Sequence, residues 1–166
     1  AVSYSVVAYS FTRSSAAAVS GSVLVGDAYQ GEWGESFANY SYNTRTWTVE
    51  ANSVWGPTSS NYTPSCSPQD GDNGMLKYQA SSGSPCWIAS PKLNVKSLKN
   101  PRIDFYVYQD NSLSYKNAVV PGVRVNGVDK AFGDTIAVNG GAKGWNRYSY
   151  YVPAEARDCD FQLVFT

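Results

Sequence analysis

Residues 70–108 read DGDNGMLKYQASSGSPCWIASPKLNVKSLKNPRIDFYVY, and no other stretch limits the fold as tightly. A Gly/Asp turn leads into a short strand, a strand anchored by Trp87 stops at Ser90-Pro91, and the run from Arg102 to Tyr108 alternates strictly. Ile103, Phe105 and Val107 fall on one face of that run and Asp104, Tyr106 and Tyr108 on the other, which is the two-residue period of a half-buried strand. A helix needs its apolar residues three to four apart, so this segment commits to sheet with one face on a core.

The rest of the chain uses the same vocabulary. Charged residues make up 16%, while Tyr, Trp, Ser, Thr, Val, Asn and Gly crowd the sequence, residues that favour strands and turns. The run Ala16–Ala18 is cut short by Val19, Ser20 and Gly21, so helix is not expected there. Strands are expected at Glu35–Phe37, Trp47–Ala51, Met75–Tyr78, Cys86–Ala89, Lys92–Val95, Arg102–Tyr108, Gly122–Val125, Thr135–Val138, Asn146–Val152 and Phe161–Phe165. Many short strands separated by Gly, Pro, Asn and Asp imply an all-β, two-sheet antiparallel β-sandwich of jelly-roll type with little or no helix. Asn126-Gly127 suits a two-residue type I′ turn between Val125 and Val128.

With 166 residues the chain can hold one domain and bury about two-thirds of its unfolded surface. Residues 1–25 read as a hairpin, in which SYSVVAYSF alternates, TRSSAAAVSGS turns and SVLV returns. An isolated hairpin is marginal in water, so this one must dock. Residues 1–29 form either the tail of a fibronectin type III-like module, whose last two strands Tyr4, Val6 and Ala8 resemble, or an integral part of the sandwich. Residues 30–166 are the main domain. The abrupt, strand-like start reads as a piece of a longer protein.

Charge and residue inventory exclude several functions. Thirteen basic and thirteen acidic residues cancel, leaving no field to collect nucleic acid or anionic lipid. No apolar run approaches the ~20 residues that span a bilayer, so membrane insertion is not expected. Histidine is absent, which removes the usual neutral-pH base, the partner of Ser and Cys nucleophiles and the commonest transition-metal ligand. A carboxylate pair could still cleave glycosides, yet the acids fall in turn-like contexts such as GDNG, GVDKAFGD and ARDCD. The three cysteines form no metal-binding spacing; either Cys66 and Cys86 form one disulfide with Cys159 left over, or all three are buried thiols.

A family resemblance lies in the order of landmarks: Glu35-Ser36-Phe37, Trp47-Thr48-Val49, Trp55-Gly56, Asp70 to Leu76, Trp87 to Leu93, Ile103 to Tyr106, Gly144-Trp145 and Phe161 to Phe165. Over residues 32–166 this order resembles the MAM-like jelly rolls, most of all the choice-of-anchor J and cleaved-adhesin domains of bacterial surface and secreted proteins, including those attached to gingipain-type proteases. The resemblance implies that Trp47, Trp87 and Trp145 are buried anchors. Domains of this kind continue past the equivalent of FQLVF into a further strand with an acidic residue near its start. Here either that strand lies outside the chain or the N-terminal hairpin replaces it.

The same resemblance implies a structural calcium ion at a sandwich edge. Calcium takes six to eight oxygens. Asp70, Asp72 and Asn73 on one turn, Glu35 from the ESF position and Asp160 are the candidate ligands; the other reading is that these residues cap local amides. For the aromatic surplus, carbohydrate is the natural ligand, because sugar C–H faces stack on exposed rings. Trp55, Tyr62, Tyr106, Tyr108 and Tyr115 are the candidate contacts, against the reading that strand aromatics cover the core. Lys92, Lys96, Lys99 and Arg102 read as a solvated edge that discourages strand addition. Sequons at Asn39 and Asn61 matter only in a eukaryotic secretory route.

The function expected is a non-catalytic adhesion, binding or spacer module in a larger secreted or surface protein, with a glycan or a host extracellular protein as partner beside the parent protein's other domains. The competing expectation is a small glycoside-active enzyme on the same sandwich, using paired carboxylates.

Overall fold

The computed structural model describes residues 5–6, 18–19, 26–45, 47–50, 54–79, 85–115 and 117–166. Strands dominate. In chain order they are β1 (Ser5–Val6), β2 (Ala18–Val19), β3 (Tyr29–Gln30), β4 (Thr48–Val49), β5 (Trp55–Thr58), β6 (Asn61–Tyr62) and β7 (Ser65–Cys66). There follow β8 (Met75–Tyr78), β9 (Ile88–Ala89), β10 (Leu93–Asn94), β11 (Arg102–Gln109), β12 (Ala118–Val119) and β13 (Pro121–Val125). The last are β14 (Val128–Ala131), β15 (Ile136–Ala137), β16 (Gly144–Tyr151) and β17 (Gln162–Phe165), with a single helical turn α1 (Ala154–Arg157) before β17. Helix is confined to α1 and a 3-10 turn at Ala38–Tyr40 among the described residues.

β17 is the hub. It pairs antiparallel with β13 on one side and β9 on the other, giving the five-stranded order β14-β13-β17-β9-β4. Its sequence QLVF is buried nearly throughout, as a strand flanked on both edges and covered on a face requires. The second layer is carried by β11 and β16, eight residues each, in one antiparallel ladder from Arg102 opposite Tyr151 to Gln109 opposite Gly144. Ile103 of β11 shares a core with Val123, Leu163, Leu93, Val95, Val152, Phe161 and Ala156, so the ladder lies on the five-stranded sheet and the fold is a β-sandwich. Rings stitch the layers together: Phe105 meets Phe165 edge-on at 5.2 Å, and Phe165 stacks on Trp47 at 6.5 Å.

The alternation read along Arg102–Tyr108 holds, with Ile103 buried and Asp104 and Tyr106 exposed. The Asn126-Gly127 turn is also as expected: φ is 50° and 80° at its two residues, the pair of positive values a type I′ turn needs, and Val125 faces Val128. β1 and β2 pair antiparallel with Ser5 opposite Val19. The remainder of the N-terminal hairpin and its docking lie outside the described residues.

Four expectations need correcting. Glu35–Phe37 is not a strand but the approach to a left-handed turn, for reasons given below. Trp145 is only half-buried, because it stands opposite outward-facing Tyr108 and meets that ring edge-on at 5.6 Å, sharing its face. Trp87 is half-buried under the Arg124 guanidinium, 3.9 Å from its ring centroid; of the three expected anchors Trp47 is the buried one. The three cysteines are half-buried thiols and form no disulfide, with Cys66 against the Met75 sulfur at 3.9 Å and the backbone of Cys86 holding the Trp55 indole N–H.

Buried polar groups are tied into the sheets. The Gln162 amide donates to Ser90 O, and Ser90 Oγ accepts the Leu163 N–H, locking β17 to the segment after β9. Gln109 donates to Ala137 O and accepts from the Tyr148 hydroxyl. Next to it, buried Asp110 accepts the hydroxyl of Ser112 at 2.6 Å and its N–H at 3.0 Å, with Lys143 3.5 Å away. Ser112 first, then Lys143, hold this carboxyl below its ordinary value of 3.8. A carboxyl depressed on folding contributes stability that is present above its unfolded pKa and lost as pH falls through the folded value. The stability difference between wild type and Asp110→Asn should therefore be full at neutral pH and shrink below about pH 4, as followed by denaturant unfolding at a series of pH values.

Candidate functional site

An open cleft of about 1040 Å³ enters the sandwich beside β11. Its floor is the aromatic and aliphatic interior: Trp47, Leu93, Leu163 and Phe165. Its sides are formed by two strands in an unusual way. β11 contributes every residue from Arg102 to Tyr108 and β8 every residue from Met75 to Tyr78, whereas their partners β16 and β5 contribute only one residue each, Trp145 and Trp55. Successive residues of a strand point to opposite faces, so a cleft that touches all of them in turn runs along the strand's edge.

Four of the five aromatic residues singled out as sugar contacts come together here. Trp55, Tyr106, Tyr108 and Tyr115 all line the cleft. Trp55 packs on Tyr78 at 5.1 Å, and Tyr108 on Trp145 at 5.6 Å. Tyr106 keeps 43% of its surface exposed. Tyr62 is outside the group; it projects from the β6–β7 hairpin, 91% exposed, while its neighbours Asn61 and Thr63 reach the cleft. Burial pushes the Tyr78 and Tyr115 phenols upward from 10, so both remain hydroxyl donors at neutral pH.

Sequence reasoning placed Tyr115 at this site but missed the indoles of Trp33 and Trp47 on its walls. Among the described residues, Trp33 Nε1, Trp47 Nε1 and the Tyr115 hydroxyl are buried without a hydrogen-bond partner. Trp33 and Trp47 touch at 5.9 Å. An indole N–H can only donate, and leaving it unsatisfied costs about 1–3 kcal/mol. Their signal in the sequence is only the density of Trp; nothing in GEWGES or TRTWTV says which indole lacks an acceptor.

The candidate calcium ligands are not gathered into one shell. The Glu35 carboxylate accepts the N–H groups of Phe37, Asn43 and Thr44 and the Thr44 hydroxyl, at 3.0–3.2 Å. Those donors occupy the roughly four lone-pair sites a carboxylate has. Asn73 accepts the Asn39 N–H at 2.6 Å and donates to the Asn39 side chain. Asp70 accepts the Asp72 N–H, and Asp160 accepts the Asn94 side-chain amide. Glu35, Asp70 and Asn73 thus cap backbone amides, as the alternative reading had it, whereas Asp160 meets a distant side chain; the described residues hold no group of three or more His, Cys, Asp or Glu that could hold a metal ion.

What Glu35 and Asn73 support is a turn that the backbone resists. Phe37, Asn39 and Tyr40 all have φ between 45° and 59°, the left-handed region disfavoured for residues with a Cβ. Gly74 makes room for it: a Cβ there would collide with the Phe37 carbonyl oxygen. The turn thus packs directly onto the start of β8 and fixes one side of the cleft.

Comparison with protein-family models, with curated proteins and with solved structures finds no match for this chain.

Replacing Glu35 by Gln removes half of the acceptor capacity at the turn. It should destabilise the protein by about 1–3 kcal/mol, and by the same amount in calcium and in chelator, as read from paired thermal melts. A loss confined to the calcium-containing melt would instead make Glu35 a ligand.

Proposed function

We propose that this chain is a non-catalytic recognition module of a larger secreted or surface-exposed protein, holding a glycan or an extracellular protein at the cleft beside β11. The observation that carries this reading is the convergence of Trp55, Tyr106, Tyr108 and Tyr115 on one large, open, mostly apolar cleft. Sites for ligands have this character, with aromatic walls and a few polar groups that set orientation. Rings that stack on sugar C–H faces also suit apolar side chains of a protein partner, so the cleft serves either class.

The acids favour recognition over chemistry. Glycoside cleavage by a carboxylate pair requires one carboxyl raised so that it can donate a proton near neutral pH. Asp104, which lines the cleft, is instead lowered by the Ser149 hydroxyl and by Arg147. Glu35 and Asp70 are engaged by loop amides. The complete absence of histidine points the same way. The resemblance to choice-of-anchor J and cleaved-adhesin domains agrees with a place among other domains of a surface protein.

A glycan array and a panel of extracellular matrix proteins, probed with wild type and with Tyr106→Ala, test this. Binding to one class, weakened about tenfold in the variant as expected for loss of a stacked ring, supports the reading. Silence across both sets would leave the chain a spacer, and turnover of any arrayed glycan would make it an enzyme.

A further inference from the structure

Two strands bordering the cleft each lack a partner on the side that faces it. β11 is bonded to β16 alone and β8 to β5 alone among the described strands. The register fixes which backbone groups are unused. In an antiparallel ladder, residues alternate between pairs that exchange N–H···O bonds and pairs that do not. The Val152 N–H donates to Pro101 O, so 101–152 is a hydrogen-bonded position, with one bond because proline has no N–H, and the alternation continues along β11. Arg102, Asp104, Tyr106 and Tyr108 therefore direct their N–H and C=O groups away from β16. The Gln79 N–H donates to Val54 O, and the same counting turns the backbone of Leu76 and Tyr78 away from β5. Pro57, which has no N–H, sits at a non-exchanging position opposite Leu76, as this register demands.

The cleft is thus bounded by two rails of peptide groups that find no partner among the described residues, over an apolar floor. Only another peptide backbone satisfies such rails in full, and exposed edges are templates for strand addition. The charges select among peptides. Four carboxylates line the cleft: Glu35 and Asp70 keep their charge while accepting loop amides, Asp104 meets Arg147 at 3.3 Å and Glu32 is exposed, so charge selects locally and not over the groove as a whole. Lys77, Lys99 and Arg102 line the same cleft, and neither lysine is in an ion pair among the described residues.

We propose that the cleft is an acceptor groove for one extended segment of a partner polypeptide, which inserts between β8 and β11 with apolar side chains on the floor and acidic side chains toward Lys77 and Lys99. This rests on the recognition reading above and names the ligand class of the same site. The segment completes a continuous layer from β5 through β8 and the guest to β11 and β16. A guest of about six residues, roughly 20 Å long, matches a typical strand. Its inward residues meet Trp47, Leu163 and Phe165.

The probe is a capped decapeptide alternating Val or Ile with Asp or Thr, compared with a shuffled peptide of the same composition and with one N-methylated at alternate amides. The alternating peptide should raise the Tm of the full chain by about 5 °C at saturation and slow hydrogen exchange at Leu76, Tyr78, Asp104 and Tyr106. N-methylation should weaken binding about tenfold or more. Tyr106→Pro removes a cleft-facing N–H without touching a β16 bond and should abolish the gain in Tm, whereas Tyr106→Ala, which loses the ring but keeps that N–H, should weaken binding only about tenfold and still show a gain at saturating peptide. Should Tyr106→Pro fail to fold, Lys77→Glu with Lys99→Glu replaces it and should favour a lysine-bearing peptide over the acidic one. Equal binding of the shuffled or N-methylated peptide, or self-association of the chain through the same edges, would overturn the proposal. A glycan that binds and protects Tyr106 while no peptide does would overturn it too and leave the recognition reading standing. Silence of glycans, matrix proteins and peptides alike would end both.

Discussion

The contact between Phe105 and Phe165 is the hinge on which the architecture turns. Phe165 ends the central strand of the large sheet, and Phe105 lies in the middle of the longest ladder of the facing layer. Through this pair the five-stranded sheet and the β11–β16 ladder share a core, and through Phe165 the core reaches Trp47, then Phe37 and Trp33. Large rings close the distance between layers with few residues, since each buries on the order of 150–250 Å². That suits a chain whose strands are mostly two to five residues long.

The same economy leaves the interior open on one side. The ladder formed by β11 and β16 lies on the sheet, the β5–β8 pair borders the cleft, and no described strand bridges the two pairs. The result is a cleft whose floor is core and whose sides are backbone. Unsatisfied indole donors on its wall and unpaired peptide groups along its edges are both costs that a filled groove would relieve. Recognition and incomplete packing are, on this view, one property of the fold.

The left-handed turn at residues 37–40 shows how the cleft keeps its shape. Three strained backbone residues persist because one carboxylate, one amide side chain and one glycine are committed to them. Glu35 and Asn73, two of the five residues that the family resemblance implied as calcium ligands, hold this turn. Asp, Asn and Glu near glycines do both jobs with the same chemistry, capping N–H groups or binding cations, and the sequence offers no way to tell which set of partners is nearer.

Much of the sheet could be read directly. Alternation along Arg102–Tyr108 fixed which side chains face the core, because pleating obliges neighbours to point apart, and Asn126-Gly127 dictated its turn, because few residues accept two successive positive φ values. Such features are local, and local sterics decide them. Whether Trp145 is buried depended instead on which residue stands across the ladder, and the turn at Phe37 depended on Gly74 lying more than thirty positions away. The cleft depended on a pairing that does not occur between β8 and β11. Composition and periodicity determined that this chain is a β-sandwich rich in exposed rings; only the tertiary arrangement decided where those rings meet and which edges stay open, since an edge is defined by its neighbours and not by its own residues.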